Sequence, residues 1–326
     1  LTGFLESSYV KLRAAVAAKD TATLPTDTSL RAGAAALSSA DLSRRGPEAT
    51  IDHILRDVVP ALNGQNLSGR YYGFVIGSTL PVAEAADNIV SALDQNVQVH
   101  LPDQTLSTAV EDSALRMVLS LLELGPPDEW PSRTFTTGAT ASNLLGLACG
   151  REAVIERRLP EGSEDCTVAK VGLVAACLAA EVKQIQILTS MGHSSLSKAA
   201  SIVGLGHGAV KELPASEDEP WRLDLDAVEC QLRMTDVASI IVVSAGEVNT
   251  GRFATNALDM PKLRSLADRH GAWIHVDGGT YYLMIMTPLQ TKPYISIPSL
   301  RYLGSDASSD RRVSLTTCHS RWSSAG

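Results

Sequence analysis

Residues Gly271–Thr280 read GAWIHVDGGT, and this stretch decides the fold. An apolar run broken by one histidine ends in an acid and two glycines, the pattern of a short buried strand leaving into a loop. Side chains two apart in a strand point to the same face, so His275 and Asp277 address one side of the sheet. In an α/β domain, ligands bind in the crevice beyond the carboxyl ends of the strands. An ionised Asp there can hold a proton on a ring nitrogen of a ligand. The other reading of Asp277 is a strand-to-loop acid that closes a turn.

Working outward, residues 260–270 have helical spacing, 238–243 read as a buried strand and 225–234 as a helix. Further upstream stand a strand at 185–188, an apolar helical run at 169–178, a helix at 144–158 and a strand candidate at 133–137. The helix at 198–203 follows the polar loop Ser190–Ser197, and the acidic, proline-bearing 212–220 reads as solvated surface. Alternating strands and helices predict an α/β fold with a mainly parallel sheet and helices on both faces. Residues 67–326 form this large domain in the sequence reading, and 1–66 form an arm with peripheral helices, among them 10–19 and a short helix at 53–59 closed by Pro60. A further helix is expected over 107–124. Residues 67–81 read as a loop whose Tyr71, Tyr72 and Phe74 line a pocket or simply pack. After Tyr281 the pattern degrades.

The chain has 326 residues, room for one large or two modest domains, and a formal net charge of −8. That charge, with aromatics at 5% and no basic stripe, argues against a nucleic-acid surface. No apolar run approaches 18 residues, so no membrane span is expected. Five scattered cysteines, none in CxxC spacing, favour a reducing, cytoplasmic setting and structural thiols. No short-spaced set of His, Cys, Asp and Glu suggests a metal site.

Three segments carry chemistry. Thr137–Asn143 runs from an expected strand through small residues into a helix, presenting free backbone N–H groups and the positive end of the helix dipole. Thr140 and Ser142 add hydroxyls. This is an anion cradle without the GxGxxG spacing or the Walker lysine, and the alternative is an ordinary helix cap. His193, in MGHSSLSKA, can stack on a flat ligand or move a proton, or be merely structural. Ser194 and Ser195 can meet a phosphate or cap the following helix. Asp277, with His275, is the third. Cradle, His loop and strand-end Asp on successive βα elements suit a phosphorylated aromatic cofactor, which needs an anion site, a flat partner and an acid for the ring nitrogen.

At this point the chain resembles the group II pyridoxal-phosphate (PLP) decarboxylases, the family acting on glutamate, aromatic amino acids and histidine. The resemblance spans about Leu67 to Gly279. FTTGATASNLLGLACGRE (Phe135–Glu152) is similar to the family's phosphate segment and LTSMGHSSLSKAA (Leu188–Ala200) to its histidine segment. LDLDAVECQL (Leu223–Leu232), SAGEVNTGRF (Ser244–Phe253) and WIHVDGG (Trp273–Gly279) follow in order. The resemblance implies a fold-type I PLP-dependent transferase fold with its C-terminal part missing, and a homodimer with active sites at the interface. It also implies loss of the α-carboxylate of a small-molecule L-amino acid as CO2, leaving an amine. Ala139 and Thr140 would contact the phosphate, His193 would stack on the ring, Asp277 would bind its nitrogen, and His275 would support the Asp strand. His193 and Asp277 are thereby the implied catalytic residues.

Three departures accompany the resemblance. Glu247 stands where many members have Thr, so either Asn249 or Thr250 takes over a cofactor-side role or the subgroup simply differs. The family places its Schiff-base lysine in a D-x-H-K motif; the only similar string here is SLTTCHSRW (Ser314–Trp322). Aligning Trp322 puts Arg321 at the lysine position, and aligning His319 puts Ser320 there; arginine stays protonated and cannot form the Schiff base. Lys292 is the only lysine after Asp277, in a context that does not match. Finally, the chain stops at Gly326, where the family continues, so a truncated or non-catalytic PLP-binding homologue is the alternative expectation. Another PLP-dependent lyase, aldolase or decarboxylating oxidase is a third, because one scaffold hosts several reactions.

Overall fold

The structure, a computed structural model, describes residues 2–19, 23–38, 46–69 and 79–279, together with the backbone of a strand at 313–316. Residues 71, 72, 74, 292 and 320–321 lie outside the described residues. The chain divides into two compact units, Leu1–Leu93 and Asp94–Gly326.

The first unit is helical: α1 (Thr2–Ala18), α2 (Asp27–Leu37), α3 (Pro47–His53) and α4 (Pro81–Ala92). The short helix expected at 53–59 takes another form. The helix begins at Pro47, and its continuation winds as a π-turn over Ile54–Val58 before a 3-10 turn at Val59–Ala61. Pro60 has no N–H to return to residue 56, so the ladder shifts register here, with Val59 N–H reaching the Ile54 carbonyl. Helix α4 was not anticipated; proline at its first position starts it without sacrificing a helical hydrogen bond.

The second unit carries α5 (Ser107–Leu121), α6 (Ala139–Glu156), α7 (Val168–Val171), α8 (Leu173–Ala179), α9 (Ser194–Ile202), α10 (Leu225–Leu232) and α11 (Asp259–His270). Its strands are β1 (Gln184–Thr189), β2 (Val210–Glu212), β3 (Val237–Ser244), β4 (Trp273–Asp277) and β5 (Val313–Thr316). They form one sheet in the order β2-β1-β3-β4-β5, with every pair parallel. All eight residues of β3 are buried, as a central strand covered on both faces requires. Strand β5 lies within the stretch where the sequence pattern degrades, pairing Thr316 with Asp277.

Alternation along the strands assigns each face its helices. Ile240 and Val242 of β3, Ile185 and Ile187 of β1 and Trp273 of β4 pack with residues of α6, α8 and α9. Ile241 and Val243 of β3, with Ile274 and Val276 of β4, pack with residues of α5, α10 and α11. Odd-numbered residues of β4 therefore face α6, which fixes the side to which His275 and Asp277 are delivered. Gly271 makes the turn into β4: it adopts φ 66°, the left-handed conformation at the end of α11, and Ala272 N–H then closes on the Ala267 carbonyl at 2.8 Å.

The expected strand at 133–137 does not form. The Arg133 side chain ties this segment to the α5 side instead: its guanidinium pairs with Asp112, and donates to the carbonyls of Pro127, at 2.9 Å, and Trp130. With its direction set by these bonds, the segment pairs with no strand among the described residues. The apolar run at 169–178 is two helices broken at Gly172.

Candidate functional site

The carboxyl ends of β1, β3 and β4 and the start of α6 converge at one edge of the parallel sheet. Helix α6 starts immediately after Gly138, with no side-chain cap on its first N–H groups. Ala139 is half-buried and Thr140 exposed at that opening, while Ser142 and Asn143, in the first turn, are buried. Uncapped N–H groups beside two small residues leave an anion direct access to the helix end.

His193 caps α9. Its Nδ1 accepts the Ser195 backbone N–H at 3.2 Å and lies 2.8 Å from the Ser195 hydroxyl. His193 is exposed, and the Ser195 it leans on is buried. Asp277, at the end of β4, is half-buried. Its Oδ2 accepts from the Asn143 side-chain amide at 3.0 Å and its Oδ1 from Gly279 N–H at 3.4 Å. His275 is fully buried, and its Nε2 is 2.7 Å from Asn143 Oδ1. It thus shares a face with Asp277 but stands beneath the site rather than in it.

Asn143 joins these parts. Its amide also donates to the Ser195 hydroxyl at 3.0 Å, so the three segments expected to carry chemistry form one hydrogen-bonded set: His275, Asn143, Asp277, Ser195, His193. Sequence reasoning passed over Asn143 as a site residue and weighed Ser195 only as a phosphate or capping group. The available signal was an asparagine one turn into an apolar helix, where it is disfavoured unless its amide has somewhere to go.

The loop after β3 closes another side. Ala245 N–H extends the β3–β4 ladder to the Asp277 carbonyl at 2.8 Å. Glu247 is buried, and its carboxylate accepts from Asn249 N–H at 2.9 Å, the Asn249 amide at 2.6 Å, Thr250 N–H at 2.9 Å and the Thr250 hydroxyl at 3.1 Å. Asn249 is therefore exposed and held by Glu247, and it is not part of the Asp277 set. Arg252 lies over the Trp221 ring, 4.2 Å from its centroid, and the Trp221 carbonyl takes the Ser190 hydroxyl at 2.6 Å. Among the described residues no group of His, Cys, Asp and Glu could hold a metal ion, and no helix is long and apolar enough to cross a membrane.

No protein-family model matches the chain. Over 149 residues it is 26% identical to an L-2,4-diaminobutyrate decarboxylase of Acinetobacter baumannii, covering 44% of this chain and 27% of that protein. Over 204 residues it is 29% identical to an aspartate 1-decarboxylase of Aliivibrio fischeri, covering 58% of this chain and 35% of that protein. The matches therefore span well under half the length of either relative. In structure it is similar to the glutamate decarboxylase domain of a Vibrio parahaemolyticus diaminobutyrate-pyruvate transaminase and L-2,4-diaminobutyrate decarboxylase, with a TM-score of 0.67 at 22% identity. That likeness covers 88% of this chain and 59% of the other. It is also similar to Oryza sativa TDC solved with PLP and tryptamine, with a TM-score of 0.64 at 16% identity, over 85% of this chain and 54% of the other. In sequence the chain is similar to amino-acid decarboxylases, and in structure it has the fold of the solved decarboxylases named above.

Proposed function

We propose that this chain is the cofactor-binding part of an amino-acid decarboxylase, taking PLP at the edge where α6, α9 and β4 meet. The observation that carries the reading is the linked placement of Asp277 and His193 beside the uncapped start of α6. The residues present fit the group. An acceptor-only carboxylate suits a protonated ring nitrogen, an exposed imidazole held in place by Ser195 offers a flat partner, and helix N–H groups with Thr140 suit a phosphate.

When bound, PLP supplies an electron sink for the pair released as the substrate Cα–carboxylate bond breaks and CO2 leaves. The chain's own work is electrostatic and positional. Asp277 holds a proton on the ring nitrogen and favours the charged ring, which keeps the sink strong. His193 fixes the plane of the ring, so that the bond to be broken can stand perpendicular to it. Ala139 and Thr140 hold the phosphate end, and His275 supports Asp277 from beneath through Asn143. Asn249 acts one step back, shaping the loop after β3 through Glu247.

The substrate in this reading is a small L-amino acid and the product an amine. We place the protein in the cytoplasm as a homodimer. Free cysteines at 149, 166, 177 and 230 suit a reducing compartment. A second copy would cover the outer face of α5, where Val110, Met117 and Leu121 are 64%, 70% and 51% exposed and lie on one stripe opposite the buried Leu115 and Leu119.

The experiment is equilibrium binding of PLP to the purified chain and to Asp277→Ala, with folding checked by circular dichroism. Loss of a charge-assisted hydrogen bond should weaken binding about tenfold or more. Equal affinity in the two proteins would overturn the site. The SLTTCHSRW tail favours a second reading, a homologue that holds PLP without a covalent bond. In this 326-residue chain dialysis should remove the cofactor, and borohydride should leave no pyridoxyl-lysine peptide in a mass spectrum. A modified Lys292 would instead support covalent anchoring and turnover.

A further inference from the structure

Asn143 is fully buried, and its side chain meets three partners on two other elements, Ser195 on α9 and His275 and Asp277 on β4. The carboxylate of Asp277 can only accept, so the amide nitrogen must face it at 3.0 Å. That choice turns Oδ1 toward His275, whose Nε2 must then carry a hydrogen to make the 2.7 Å contact. The second amide hydrogen goes to the Ser195 hydroxyl at 3.0 Å, occupying an oxygen lone pair and leaving the hydroxyl hydrogen free to turn toward His193 Nδ1 at 2.8 Å. That Nδ1 already accepts the Ser195 backbone N–H at 3.2 Å, so it is an acceptor twice over and the neutral ring carries its hydrogen on Nε2. The Asn143 orientation and the His275 hydrogen follow from an ionised Asp277, and the acceptor role of His193 Nδ1 follows from the Ser195 backbone N–H. Ser195, 2% exposed, and His275, 0% exposed, leave water no ready way to substitute for these bonds.

We propose that Asn143 is a positioning residue: its single amide fixes the Asp277 carboxylate directly and holds the Ser195 hydroxyl against His193, coupling the residue under the ring nitrogen to the residue on the ring face. The consequence for the site is that Asp277 and His193 do not move independently. Helix α6, which offers its start to the phosphate, also carries the amide that aligns both partners of the ring. The role toward PLP rests on the reading above; the hydrogen-bonded set does not.

The test uses the full chain labelled with 15N-histidine, with His193 signals assigned by their loss in His193→Gln. In the cofactor-free protein His193 should show Nε2 protonated and Nδ1 as an acceptor; a hydrogen on Nδ1 overturns the proposal without any other variant. In Ser195→Ala the Nδ1 signal should move part of the way toward that of a free imidazole nitrogen, since the backbone N–H at 195 remains, and an unmoved signal would show that the hydroxyl does not hold His193. In Asn143→Leu the same signal should move and PLP affinity should also fall about tenfold or more, because Asp277 loses its donor. A folded Asn143→Leu with wild-type affinity and wild-type His193 signals would show that Asn143 only packs. If Asn143→Leu fails to fold, the wild-type signals and Ser195→Ala still decide. Should the wild-type chain fail to bind PLP, the cofactor reading falls, and the His193 signals judge the hydrogen-bonded set separately.

Discussion

Two residues at the end of β4 illustrate how side chains on one face divide their work. Asp277 stays partly open to the crevice, while His275, one pleat back, is sealed beneath it and donates to Asn143. Replacing His275 with Leu leaves Asn143 Oδ1 buried without that donor, which should cost about 1–3 kcal/mol of stability. Urea unfolding of His275→Leu against the wild type measures this, and an unchanged midpoint would contradict the placement. The pair was legible in GAWIHVDGGT because strand parity is a sequence property. The bonds they make were not, since nothing in the linear order says that position 143 would lie against position 277. Asn249 shows the same gap from the other side. The loop after β3 could be read from the sequence, but the capture of Asn249 by the Glu247 carboxylate required the fold of that loop.

Helix α6 approaches the sheet closely because Gly150 leaves room for it. A Cβ there would lie 2.8 Å from Trp273 Cδ1 and 3.2 Å from Ile240 Cδ1, both side chains packed in the core. Gly150→Ala gains up to about 1 kcal/mol of helix propensity, but forcing α6 off the sheet should cost about 1–3 kcal/mol. A lowered denaturation midpoint is expected, and a raised one would mean that α6 can shift freely. In the first unit, the π-turn after α3 brings His53 and Arg56 onto Asp57. The Arg56 guanidinium first, and then the His53 ring, hold this carboxyl down from the ordinary 3.8 to about 2. A carboxyl with a lowered folded pKa stabilises above its unfolded pKa and loses that contribution as pH falls. The Asp57 contribution is therefore complete above pH 3.8 and disappears as pH falls through about 2. Acid titration of helicity by circular dichroism should show a flatter profile over that window in Asp57→Asn; an identical profile would contradict the pairing. Strands β1, β3 and β4, with the helices α9, α10 and α11, could be read from periodicity, whereas the short β2 at Val210–Glu212 could not. The failure at 133–137 came from a side chain, since Arg133 anchors a segment whose composition suits a strand. Strand β5 escaped because its four residues carry no flanking pattern, and only the open edge of β4 gives them a partner.

At the scale of the molecule, the parallel sheet buries two helical layers and leaves its ligand edge where β1, β3 and β4 end. In the proposed homodimer, the outer stripe of α5 is the surface that a second copy would bury. Met117→Glu should shift the protein toward monomer in analytical ultracentrifugation, whereas a wild-type protein that is already monomeric would contradict the dimer. The order of cradle, histidine loop and strand-end acid along the sequence points to the cofactor class, although the cradle opens α6 with no strand before it among the described residues. The central claim is that these elements gather around PLP, with Asp277 under its ring nitrogen. A crystal structure of the chain grown with PLP tests this most directly. The account predicts the ring nitrogen within hydrogen-bonding distance of Asp277, the ring against His193 and the phosphate at the start of α6. PLP bound elsewhere, or with its nitrogen turned away from Asp277, would contradict it.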